Sequence, residues 1–269
     1  MAELEGYTRT SFVSEGKARD VFVTGSGPAV IVISEIPGIT PNVAAFGRRV
    51  ASIGCTAWLP HVFGEPGRAP SGTYMLRSVL PACVSREFVA FTTGRTSPIT
   101  VWLRALARHA HEQCGGPGVG VVGMCFTGGF ALAMAVDDVV LAPVMSQPAL
   151  PAPLTAKHKR DLGISADDLA SVKTRCADEP DLCVLGLRFT NDRSVPAERF
   201  QRLRDELGDH FVAVEIDSSP GNPYGHPANA HSVLTEHLQD TDGTPTRDAL
   251  DRVLDLFRSR LVAPAGEPG

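Results

Sequence analysis

Apolar residues fall along this chain in two alternating patterns: short continuous runs, and longer stretches in which they recur every three or four positions. Continuous runs occupy 29–33, 55–59, 119–123, 139–144, 182–189 and 211–216. Runs of this length, rich in β-branched residues and bounded by Gly and Pro, predict strands buried on both faces. The shorter run Val21-Phe22-Val23 reads as an edge strand. The periodic stretches predict helices over 41–53, 97–112, 129–136, 165–176, 196–207 and 246–261, with a shorter one at 84–92. Thr40 can cap the first of these, and Pro41 suits its opening turn. In the helix opened by Ser97-Pro98, residues Ile99, Trp102, Leu103, Leu106 and Ala110 share one face, which leaves His109 and His111 to the exposed side.

Strands alternating with helices imply an α/β fold: a mostly parallel central sheet with helices on both faces. The expected organisation is one domain over 1–269, with its core at about 20–261. Two irregular excursions interrupt it at 60–95 and 146–164, and a Pro/Gly-rich tail follows from 262. In such sheets, ligands gather beyond the carboxyl ends of the strands, so the turns that follow strands are where chemistry is to be sought.

The most informative of these turns follows the run at 119–123: Gly123-Met124-Cys125-Phe126-Thr127-Gly128-Gly129. Between a buried strand and a small-residue helix, this reads as the nucleophile elbow G-x-S-x-G with cysteine in place of serine. The glycines allow a sharp turn, and the helix N-terminus favours a thiolate at Cys125. The Phe126 N–H becomes available to an oxyanion. An elbow nucleophile needs an acid and then a histidine later in the chain. Asp192 follows the strand at 182–189, and Asp217, after the strand at 211–216, is the alternative. His226 and His231 both lie beyond the last strand. The apolar segment around His231, Ala230-His231-Ser232-Val233-Leu234, favours it as the anchored one, whereas His237 reads as a surface residue. Glu35 follows a wholly apolar strand and can face the same site, with the Ile36 N–H as a second oxyanion donor.

Composition narrows the classes. A formal charge of −5 without any Lys/Arg-rich run gives no reason to bind nucleic acid. No apolar run is long enough to span a bilayer, and the acidic start Met1-Ala2-Glu3 is unlike a signal peptide. A cytoplasmic location is expected. The six cysteines, at 55, 83, 114, 125, 176 and 183, form no C-x-x-C pair, so neither a structural zinc site nor a disulfide scaffold is expected. Cys55 and Cys183 read as small buried residues. Neither a metal nor an organic cofactor is needed, and the expected partner is a small ester or lactone.

The motifs together resemble the dienelactone hydrolase family. The matching pieces are Ser34-Glu35-Ile36-Pro37-Gly38, Trp58-Leu59-Pro60-His61-Val62-Phe63-Gly64, the cysteine turn, Thr190-Asn191-Asp192-Arg193-Ser194-Val195-Pro196, and Ala230-His231-Ser232, in that order over about 28–260. The resemblance implies an α/β-hydrolase fold and a Cys125–Asp192–His231 triad, with Glu35 interacting with the resting thiol. It also implies arginines for a substrate carboxylate, for which Arg77, Arg86, Arg95 and Arg193 are candidates. The same turn would serve a thioesterase or an acyltransferase. A non-catalytic binding protein on this fold would instead use Cys125 as a redox-sensitive thiol.

Overall fold

A computed structural model describes residues 4–72, 74, 96–150 and 155–262. Its strands are β1 (Thr8–Ser14), β2 (Lys17–Gly25), β3 (Ala29–Ile33), β4 (Thr56–Pro60), β5 (Val119–Met124), β6 (Val140–Ser146), β7 (Val184–Phe189) and β8 (Phe211–Ile216). They form one sheet in the order β1-β2-β4-β3-β5-β6-β7-β8. From β4 to β8 every pairing is parallel, and β2 alone runs against its neighbours. The helices are α1 (Pro41–Ser52), α2 (Pro98–Cys114), α3 (Gly128–Met134), α4 (Ala156–Arg160), α5 (Ala166–Asp178), α6 (Ala197–Leu207) and α7 (Pro245–Leu261). This is the expected α/β-hydrolase architecture.

Two apolar layers sandwich the sheet, and the period-two alternation of the strands feeds both. Ile31, Ile33, Val119 and Val121 pack with α2, α3, α5 and α6. Val30, Val32, Val122 and Met124 point the other way, onto α1 and α7. Val30, Ile31, Val32 and Ile33 are completely buried. Each contributes about 1.5–3 kcal/mol, which fixes β3 firmly beneath the Ser34-Glu35-Ile36 turn at its end. Thr40 caps α1 as expected, its hydroxyl accepting the Val43 N–H at 3.2 Å.

Three expectations need amendment. The edge strand at 21–23 is the buried centre of β2, and the whole β1–β2 hairpin before it was missed. Its residues are mostly polar and exposed, so no apolar run marks it. The signal is the pair Glu15-Gly16, whose φ angles of 50° and 70° make the tight reversal. The 146–164 excursion contains the short helix α4. His109 lies against the hairpin, stacked on Phe12 at a 4.9 Å centroid distance. The helix expected at 84–92 lies outside the described residues. Among the described residues, no helix is long and apolar enough to cross a membrane.

Candidate active site

β5 ends at Met124, and within Cys125–Thr127 the chain turns from strand to helix. Cys125 adopts a φ of 55°, in the left-handed region that a side chain rarely enters. Such strain costs about 1–3 kcal/mol and persists only where the surroundings enforce it. Two features enforce it here. A Cβ on Gly123 would lie 2.1 Å from the Thr127 carbonyl oxygen, so only glycine lets the turn close. One on Gly128 would lie 2.7 Å from Pro148 Cβ, so only glycine lets α3 approach the segment after β6. The residue two places after Cys125 is Thr127, where the elbow pattern has glycine. Its fully buried hydroxyl accepts the Met124 N–H at 2.8 Å, and its proton is shared between the Met124 carbonyl at 2.9 Å and the Ile33 carbonyl at 3.0 Å. The contact with Ile33 ties the elbow to the end of β3.

Beyond β7, Asp192 is buried in a turn where its Oδ1 accepts the Ser194 N–H at 2.9 Å. Its Oδ2 lies 2.5 Å from His231 Nδ1. The Cys125 sulfur lies near enough to the His231 ring to act on its charge. Burial disfavours an imidazolium here, but the nearby Cys125 sulfur and the hydrogen-bonded Asp192 carboxylate outweigh it, pushing His231 up to about 11. His231 therefore holds its proton through neutral pH. The other candidates lie elsewhere. His226 is buried edge-on against Phe189 at 5.0 Å, and its Nε2 has no partner among the described residues. Asp217 is exposed and accepts the Ser219 N–H at 2.8 Å.

Glu35 is buried at the end of β3. Its Oε2 accepts from Ser232 Oγ at 2.6 Å and from Gln147 Nε2 at 3.3 Å, and its Oε1 accepts from Thr235 Oγ1. Among the described residues its hydrogen bonds are with these side chains, and none is with Cys125. Gln147 bridges further, its Oε1 accepting the Val233 N–H at 3.2 Å and the Ser146 hydroxyl. The turn bearing His231 is thus held to the ends of β3 and β6. Ile36 follows Glu35 at the end of β3 and is partly buried, packed against the same core layer as Cys125 and Phe126.

Arg199 of α6 is wholly buried. Its guanidinium donates to the carbonyls of Asp161 at 2.6 Å, Pro148 at 2.7 Å, Ser194 at 3.0 Å and His158 at 3.2 Å. Burial pulls it down to about 10, against the attraction of Asp161, Asp192 and Cys125. One cation thereby joins the excursion after β6 to the Asp192 turn. Gln147, Thr235 and Arg199 have no place in the sequence motifs, and Ser232 figures there only as the neighbour of His231. His237, read as a surface residue, is half-buried with its ring on the backbone of His231 and Ser232.

Arg193 is exposed beside Asp192. Arg77, Arg86 and Arg95 lie outside the described residues. Cys55 is a buried thiol pushed up to about 11 by its burial, despite Arg258. Among the described residues no group of three or more His, Cys, Asp or Glu side chains is disposed to hold a metal.

A family model described as the dienelactone hydrolase family matches residues 19–261 of the sequence. No curated protein matches it. Among solved structures, similarity extends to a protein assigned as a dienelactone hydrolase from Klebsiella pneumoniae subsp. pneumoniae, with TM-score 0.64 and 19% identity over 93% of this chain and 97% of that one. A dienelactone hydrolase-like promiscuous phosphotriesterase from metagenomic libraries gives 0.59 and 17% over 95% and 98%. A cold-adapted esterase from an Arctic intertidal metagenomic library gives 0.58 and 12% over 97% and 97%. At these identities the structures establish a shared fold.

Proposed function

The chain belongs to the dienelactone hydrolase family and is a carboxylic ester hydrolase, and we propose that it cleaves small esters or lactones through an acyl-thioester on Cys125. The observation that carries this reading is the His231 Nδ1 2.5 Å from the Asp192 carboxylate, with Cys125 on the strained turn after β5 near enough to act on the charge of the same ring.

In the proposed cycle the Cys125 thiolate attacks the substrate carbonyl carbon, and the carbonyl π electrons move onto oxygen. The N–H groups of Phe126 and Ile36 receive that oxyanion; losing one such donor costs about 10²–10³ in rate. As the tetrahedral adduct collapses, its C–O bond to the leaving group breaks. His231 passes its proton to the departing oxygen, leaving a thioester and a neutral imidazole. The imidazole then takes a proton from water, whose oxygen attacks the thioester, and the second collapse returns the thiolate and a carboxylic acid. Asp192 keeps the His231 proton on Nδ1 during the neutral phase, so that Nε2 is the working nitrogen. Arg193 is the described candidate for meeting a carboxylate on the substrate. Glu35 acts in this scheme through the turn that bears His231.

Hydrolysis of p-nitrophenyl acetate tests the reading. Cys125→Ala should abolish turnover with the far-UV circular dichroism unchanged, and mass spectrometry of the wild type should trap an acetyl group on Cys125. Turnover surviving in Cys125→Ala would refute the assignment of the nucleophile.

A further inference from the structure

We propose that His237 is a positioning residue that fixes His231 through its backbone, with its ring acting as a neutral acceptor clasp. The inference rests on the triad reading above. The His237 Nδ1 lies 3.3 Å from the N of His231 and 3.1 Å from the N of Ser232, and both N–H groups donate to it. In the opposite direction the His237 N–H donates to the Ser232 carbonyl at 3.0 Å. Side chain and backbone of His237 thus close a ring of residues on the very peptide that carries the His231 side chain.

An imidazole can accept only at an unprotonated nitrogen. Two donors aimed at Nδ1 therefore put the His237 proton on Nε2 and require the ring to be neutral. Protonating Nδ1 would set an N–H against two N–H groups, and the clasp would open. The groups facing the ring come from every element around it. His231 and Glu236 share its turn, Glu35 reaches from β3, Asp192 from the turn after β7, and His226 from the loop after β8. Phe189 packs edge-on at 6.1 Å. Burial and His231 hold the ring below the ordinary imidazole value, against the pull of Glu35, Glu236 and Asp192. The clasp is therefore shut at neutral pH and opens in acid. The His231–Asp192 bond has little slack at 2.5 Å, and a displacement of about 1 Å at such a centre costs about 10²-fold in rate.

The test uses two variants of the full chain. His237→Phe keeps a ring but removes the acceptor; His237→Asn puts an amide oxygen where Nδ1 stood. Two readouts are taken: kcat and KM on p-nitrophenyl acetate, and the rate at which iodoacetamide alkylates Cys125, followed by mass spectrometry. The second needs no substrate, because the thiolate is stabilised by a correctly placed His231. His237→Phe should lower kcat about 10²-fold with KM nearly constant, and slow alkylation about tenfold or more. His237→Asn should recover most of both, and its kcat/KM should lose the acid limb that His237 supplies. Wild-type rates in His237→Phe, or equal damage in both variants, would overturn the proposal. Should His237→Phe fail to fold, retention of the wild-type acid limb in His237→Asn overturns it. A wild type that hydrolyses no ester refutes the function proposed above, while the alkylation rates still decide the role of His237.

Discussion

Thr127→Val exchanges one hydroxyl for a methyl group at a fully buried position, and its cost can be worked from the bonds it breaks. The hydroxyl accepts from Met124 N–H at 2.8 Å, and its one proton is shared between the Met124 carbonyl at 2.9 Å and the Ile33 carbonyl at 3.0 Å. Valine is β-branched and nearly isosteric, so it fits the same rotamer and opens no cavity. What changes is that one buried donor and one buried acceptor lose this partner. Each orphaned group costs about 1–3 kcal/mol. The added apolar burial returns about 1 kcal/mol. A net loss of about 1–5 kcal/mol is expected, and at about 2–4 °C per kcal/mol for a chain of this size the melting temperature should fall by about 2–20 °C. Urea unfolding should show a lower midpoint with an unchanged slope, and Thr127→Ser should stay close to wild type. The same hydroxyl sets the distance between the elbow and the β3 turn, so kcat should fall in Thr127→Val even well below its melting temperature. A stability loss under about 1 kcal/mol, with Thr127→Ser equally affected, would refute the view that this hydroxyl joins elbow to sheet.

Two other expectations concern charge. His231 should titrate well above the ordinary histidine range in ¹⁵N NMR, approaching about 11, and Cys125→Ala should bring it down by removing one of the groups that raise it. The folded-state value is above the unfolded one. The stabilisation from this group is therefore complete below about pH 6.5 and is lost as pH climbs toward about 11; constant stability over that window would contradict the ion pair. Glu35→Gln should cost about 1–3 kcal/mol in chemical unfolding, because an amide donor then meets the hydroxyls of Ser232 and Thr235. It should lower kcat more than it raises KM, and unchanged kinetics would separate Glu35 from the site.

The architecture was legible because burial on both faces writes itself into sequence as continuous apolar runs. β3, β5 and β7 carry five, six and six buried residues. Cys125, Asp192 and His231 stood out because each follows a strand of that kind or an apolar anchor, and the structure brings all three together. The β1–β2 hairpin escaped because an exposed edge needs no apolar pattern. Thr127 was passed over because the elbow pattern calls for glycine two places after the nucleophile, and a buried threonine can occupy that place by turning its hydroxyl onto strand ends. Gln147 and Arg199 were invisible for another reason. Apart from the adjacent Ser146, the side-chain partners of Gln147 lie 86 and 112 residues away, and three of the four carbonyls that Arg199 meets lie 38 to 51 residues away. Polar contacts at such separations leave no local period.

Glu35 shows how those distant contacts bear on the chemistry. A buried carboxylate is strongly unfavourable unless its oxygens are met by donors, and among the described residues no salt bridge meets Glu35. The donors here are Ser232, Thr235 and Gln147, and two of the three belong to the turn that presents His231. Satisfying the buried charge and fixing the histidine are therefore one event. Gln147 stands at a φ of 36° and is wholly buried, a conformation that costs about 1–3 kcal/mol in isolation. It is held there by Ser146, Val233 and Glu35 together. Such a network is cooperative: complete, it specifies one arrangement, and with one member missing it leaves an uncompensated group in a low-dielectric interior. The precision of His231 relative to Cys125 is thus supplied from the ends of β3 and β6, by residues that make no hydrogen bond to the sulfur.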